Sequence, residues 1–209
     1  MDGAMKLPVI LAAALALSSC AATRPGGAVA TQADWRSAAT SDDRERLRGW
    51  RDAFVSALRA ARAAGHGPTI AAEGPLLEPD AALASPAIPN GDYRCRVIKL
   101  GAKSPGLLDF VAYPAFICRI SQGSGVQQLV KLTGSQRYVG LILPGDALRQ
   151  VFLGTLVLGD EGRALRYGRD RERDVAAYVE RIGPNRWRML MPRPHFESQI
   201  DVLELVPIT

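Results

Sequence analysis

His195 and Glu197 come nearest, by type and spacing, to the acid–base chemistry a small domain can carry. In Pro194-His195-Phe196-Glu197-Ser198 they stand two apart, so an extended backbone puts both on one side. Histidine titrates near neutrality, and a carboxylate beside it suits proton transfer. No third, orienting residue can be named from the sequence. Pro192 and Pro194 mark an irregular strand start, where polar side chains satisfy backbone groups that the ladder leaves open. The expectation is a structural pair that lines no polar cleft, with a hydrolase using His195 and Glu197 as the lesser alternative. His66, the only other histidine, lacks metal-ligand spacing to His195, so no metal is expected. Nucleophile elbow, P-loop, dinucleotide fingerprint and calcium loop are all absent, and no cofactor is expected.

The three cysteines carry a different chemistry. Lys6 precedes an apolar run over 7–17, and Leu17-Ser18-Ser19-Cys20 closes it. That is the build of a secretory signal, and the run is shorter than the roughly 20 residues that span a bilayer. Small residues ending in cysteine resemble the lipobox of bacterial lipoproteins. The resemblance implies that the Cys20 thiol is lipidated and becomes the new N-terminus. An ordinary signal cut near Ala22 is the alternative. Ala21 in place of aspartate implies, by lipoprotein precedent, sorting to the outer membrane. The expected location is therefore the bacterial cell envelope, facing the periplasm, with the membrane engaged through a lipid anchor.

Cys95 and Cys118 then remain as an even pair in an oxidising compartment. Each sits in a strand-like run, on the face of the apolar residues two places away. They lie symmetrically about Gly106 and Leu107, beside Ser104-Pro105-Gly106, so antiparallel neighbours would bring the sulfurs together. A bridge there would stabilise by about 3 kcal/mol on the chain-entropy account; two buried thiols are the alternative.

Two polar loops could meet a ligand or partner. Ser135, Gln136 and Arg137 lie between two predicted strands, where an arginine would suit an anionic or sugar ligand and a plain hairpin turn would look the same. Arg169, Asp170 and Arg171 begin a run of alternating charge, either a ligand rim or a solvated connection with weak ion pairs. Asp109, Asp146 and Asp160 read as turn formers. The net charge is +5, and arginine supplies 22 of 26 basic residues, scattered along the chain. A nucleic-acid surface would gather them into a stripe among aromatics, so nucleic acid is not an expected partner.

Several elements must position these residues. The signal covers 1–19, a flexible tether 20–32, a helix 33–64, a Pro/Ala/Gly-rich connection 65–90, and an antiparallel β-domain 91–207, with helix and β-domain packed as one unit. Asp42 and Glu45 make a capping-box pattern. Leu47, Trp50, Phe54, Ala57, Leu58 and Ala61 then recur at helical spacing. Gly65-His66-Gly67-Pro68 should stop the helix, and one helical turn is expected near 78–83. Predicted strands cover 93–100, 115–121, 127–132, 137–143, 150–158, 163–167, 174–182, 186–191 and 199–206. Residues 107–114 read as strand or loop, and 144–149 as the possible start of a short helix. Short strands with turns between them give a mainly β fold with an N-terminal α-helix: an antiparallel meander forming a barrel or barrel-like sheet, with lipocalin-like architecture among the options.

Asp92-Tyr93-Arg94-Cys95-Arg96-Val97-Ile98-Lys99-Leu100-Gly101 and Lys131-Leu132-Thr133-Gly134-Ser135-Gln136-Arg137 resemble an uncharacterised bacterial family known as domain of unknown function 4893. Val151-Phe152-Leu153-Gly154, Tyr167-Gly168-Arg169-Asp170-Arg171 and Glu204-Leu205-Val206-Pro207 extend the likeness, and Asp34-Trp35 with Arg48-Gly49-Trp50-Arg51 carry it into the helix. The resemblance implies no assigned activity. Gly134-Ser135-Gln136-Arg137-Tyr138 is also loosely similar to a loop of β-barrel lipoproteins that inhibit lysozyme, with the order changed. The expectation is a non-enzymatic domain binding a small or amphipathic ligand or an envelope protein; an inhibitor of an envelope or foreign hydrolase is the alternative.

Overall fold

The computed structural model describes residues 1–3, 34–123 and 125–208. Cys20, the apolar run before it and the tether lie outside the described residues. From Gly91 onward the chain forms nine antiparallel strands: β1 (Gly91–Ala102), β2 (Phe110–Ala112), β3 (Phe116–Gln122), β4 (Gln127–Lys131), β5 (Gln136–Leu143), β6 (Arg149–Leu158), β7 (Asp174–Gly183), β8 (Arg186–Pro192) and β9 (Ser198–Pro207). Each of β3 to β9 pairs with its neighbour in sequence, and β9 returns to β1, closing an eight-stranded barrel. Closure removes the exposed edges that an open sheet of this kind would leave. β1 pairs with β9 along most of its length, while its other edge is shared between β3 at Tyr93↔Cys118 and the extra strand β2 at Leu100↔Phe110.

Strand alternation sorts the core into an inside and an outside. Tyr93, Cys95 and Val97 of β1 point inward with Leu129, Phe152, Val179, Trp187, Met189, Leu203 and Leu205, so the barrel is filled by its own side chains. Gly140 and Gly154 stand opposite each other because the Phe152 ring crosses both; an added Cβ would lie 2.7 Å and 2.5 Å from it. One end is corked. Ile88 is buried in this core, its carbonyl accepts from Gln127, and Tyr93 donates to the carbonyl of Pro89. The Cys95–Cys118 disulfide forms, S–S 2.03 Å, joining diagonal neighbours on β1 and β3.

The outward faces of β1, β7, β8 and β9 are apolar as well, and helices cover them. Short α1 (Trp35–Ala38), α2 (Ser41–Arg48) and α3 (Trp50–Ala61) lead to α4 (Gly67–Ala72). Phe54, Ala57, Leu58 and Ala61 pack on Ile98, Leu100, Ile182, Leu190, Ile200 and Val202. Gly101, at φ +69, lets α3 approach β1: a Cβ there would stand 3.0 Å from the backbone of Ala57. Trp50 is only half-buried; its ring meets Tyr178 edge-on at 6.2 Å, under the guanidinium of Arg149.

Several expectations are corrected. Thr40, not Asp42, caps α2, and its hydroxyl accepts from the amide of buried Asp43. Gly65 kinks the helix at φ +92 instead of ending it, because Pro68 in the first turn of α4 has no helical donor to lose. The turn expected at 78–83 occurs earlier, as a 3₁₀ turn over Gly74–Leu76. Residues 163–167 form no strand, since Tyr167 is drawn onto α2 by hydrogen bonds with Asp43 and Thr40. Residues 144–149 are no helix either: Asp146 accepts from the amides of Leu148 and Arg149 and turns the chain directly into β6.

Candidate functional site

Opposite the cork, the inward face turns polar. After Val97, the next inward residue of β1 is Lys99; after Leu129, the next inward residue of β4 is Lys131. Both are buried, 6% and 3% exposed. Tyr113, Phe116, Ser135, Gln136 and Tyr138 complete the lining of a cavity of about 120 Å³ at this mouth. A smaller one of about 30 Å³ lies behind the shared wall of Lys99, Gln136 and Tyr138, and reaches Asp201 and His195.

The two lysines differ in what answers their charge. Lys99 is 2.9 Å from Glu197 and 3.5 Å from Asp201. Burial works against its ammonium, but the two carboxylates outweigh burial and raise its pKa. Asp201 is buried more deeply, and there burial prevails over Lys99 and the Ser198 hydroxyl, so its carboxyl is pushed above the usual range. Lys131 donates to the backbone carbonyl of Gln136 at 2.6 Å and stands 3.8 Å above the centre of the Phe116 ring. Among the described residues no carboxylate pairs with it. Burial, then Arg137, then Lys99 pull its pKa from 10.5 to about 8. Gly134, at φ +90, lets the β4–β5 turn close over the amine: a Cβ there would be 2.9 Å from Nζ.

The loop from β8 to β9 completes the rim under strain. Arg193 and Glu197 have φ of +47° and +66°, rare for residues with side chains. Lys103 holds this loop, its amide donating to the carbonyl of Glu197 at 2.9 Å and its amine to that of Pro194. His195 borders the smaller cleft. Glu197 does not line that cleft; its carboxylate is engaged with Lys99 instead of orienting the imidazole. Among the described residues the arrangement is thus one of a caged and an uncaged cation.

The other sequence candidates divide. Ser135 and Gln136 line the mouth, whereas Arg137 turns away and donates to the carbonyls of Gly159 at 2.7 Å and Glu161 at 2.6 Å, tying two loops together. Asp170 organises its own turn by accepting from the amide of Glu172, and Arg171 pairs with Asp42 on α2. Neither residue lines a mouth cavity, and neither does Arg169. Among the described residues no group of three or more His, Cys, Asp or Glu could hold a metal ion.

Sequence reasoning missed Lys99 and Lys131. A signal was available in part: only four of the 26 basic residues are lysines, and Lys131 continues the inward alternation of its strand. No curated protein and no solved structure matches the chain. The model of the family described as domain of unknown function (DUF4893) matches residues 35–205, which is most of the sequence and takes in the whole mouth, from Lys99 to Asp201. By that match the chain belongs to the DUF4893 family.

Proposed function

We propose that this domain binds a small anion at the barrel mouth, and that lipid on Cys20 holds it in the cell envelope. One observation carries the first part: Lys131 is buried in a solvent-reaching cavity with no carboxylate of its own. A buried charge is ordinarily paired, because leaving it unpaired is costly. An incoming carboxylate or phosphate supplies the missing partner, and Gln136, Ser135 and Tyr113 offer further hydrogen bonds to its oxygens. The packed interior limits the ligand to the mouth, so a long lipid tail has no room inside.

Acetate and inorganic phosphate are the probes. Titrating either should shift the amide resonances of Ser135 and Gln136, and Lys131→Met should weaken binding by about tenfold or more, as expected for a charged hydrogen bond. Unchanged affinity in that variant would remove the proposal. The anchor is tested separately: Cys20→Ala should move the protein from the membrane to the soluble fraction, since stable attachment needs more than one acyl chain and the lipidated cysteine would carry them.

A further inference from the structure

Lysine and arginine are distributed unequally in this molecule. Among the described residues arginine supplies most of the basic groups, and of the three lysines Lys99 and Lys131 line one barrel mouth while Lys103 ties down the β8–β9 loop beside it. Arginine serves a salt bridge or a phosphate clamp as well or better; only lysine can shed its proton and become a nucleophile. We propose that Lys131 forms an imine with the carbonyl group of a small oxo acid bound at this mouth. The inference rests on the anion site proposed above and names the chemistry that site would add.

The placement of Nζ suits this. It borders the cavity, and its hydrogen bond to the carbonyl of Gln136 needs one N–H, which the neutral amine keeps. The Phe116 ring covers one side, and no carboxylate among the described residues holds the proton on. Lys99 is the contrasting case: Glu197 and Asp201 hold its charge and make it a fixed cation beside the reacting position. The depressed pKa of Lys131 agrees, leaving about a tenth of it as free amine at neutral pH. A cavity of about 120 Å³ corresponds to roughly four water volumes. That suits an acid of a few heavy atoms, such as glyoxylate or pyruvate, and not a sugar.

The step balances without a redox partner. The ammonium first releases a proton to solvent at the mouth. The nitrogen lone pair forms the C–N bond as the C=O π pair moves to oxygen, and one N–H proton passes to that oxygen to give a carbinolamine. A proton from solvent then lets the C–O bond break and the oxygen leave as water, and the nitrogen keeps its last proton as an iminium or returns it to solvent.

The experiment incubates the full chain with glyoxylate and sodium cyanoborohydride, then maps the reduced adduct by peptide mass spectrometry. Lys131 should carry most of the adduct, well over tenfold more than Lys99, whose amine Glu197 and Asp201 keep charged. Excess acetate should slow the labelling, and Lys131→Arg should abolish it at that position. Adduct spread evenly over Lys131 and exposed Lys103 overturns the inference. Acetate binding without adduct at Lys131 overturns the imine and leaves the anion site standing; loss of both removes the two together.

Discussion

Arg188 on the outer wall of the barrel and Lys131 inside its mouth are both buried cations, 0% and 3% exposed, yet their surroundings are opposite. Arg188 meets Glu180 at 2.6 Å and donates to the carbonyls of Pro75, Leu76, Glu78 and Pro79 at 2.7 to 3.1 Å. Those carbonyls belong to the Pro- and Gly-rich connection, which has few internal donors because proline supplies none. One arginine thus collects the loose backbone of that connection onto β8. Lys131 has one carbonyl, one ring face and no acid. A buried charge matched by its own chain is architecture; one left unmatched is an address for something from outside. The fold tolerates the second because its many packed contacts elsewhere carry it.

Breaking the matched cation should have the largest effect. Arg188→Met removes five partners at once and leaves Glu180 with Arg149 alone, 2.6 Å away. Loss of one member of such a buried pair destabilises by about 3–5 kcal/mol. Urea unfolding should show that loss. A change below about 1 kcal/mol would mean that the connection is held by its apolar residues, Leu76 and Leu77, and not by the arginine.

Removing the unmatched cation should act in the other direction. Lys131→Met is expected to stabilise the fold at pH 7, by about 3 kcal/mol at most, while weakening anion binding. The sign follows from the lowered pKa. Burial penalises the charged form, so the penalty is present in full below about pH 8. Between about pH 8 and 10.5 the unfolded chain keeps a proton that the folded chain releases, and the parent gains stability with pH. The advantage of the methionine variant should therefore shrink across that window. Denaturant melts at pH 7 and pH 10 measure it, and a constant difference would show that Lys131 finds a counter-charge in solution.

The contrast also marks what a sequence can disclose. Strand positions, the β class and the Cys95–Cys118 bridge were legible because alternation and cysteine parity are local properties. The meander also pointed to a barrel, but which strands close it was not legible, since that depends on β1 meeting β9 across the whole domain. Along 97–101 β1 is buried on both faces, inside by the barrel core and outside by α3, so inward and outward residues lose their distinction. Lys99 sits in that stretch, and nothing local separates it from a lysine on a solvent face. The continuation of the helix past Gly65 was hidden for a related reason: glycine and proline stop a helix on local grounds, and Ile70 and Leu76 docking on the barrel override them.

The charged run beside Tyr167 gives the smallest expected effect and the sharpest boundary for the site. Tyr167 and Gly168 are held on α2 and β7 through Asp43 and Asp174, both buried, whereas Arg171 and Asp42 pair at the surface with side chains 70% and 53% exposed. Water answers both charges when the pair is broken, so Arg171→Ala should stay within about 0.5 kcal/mol of the parent. Acetate affinity should also be unchanged, because Arg171 lines neither mouth cavity. Glu172 and Arg173 of the β6–β7 loop already border the smaller cavity, and a clear loss of affinity in this variant, at unchanged stability, would extend the site along that loop to Arg171.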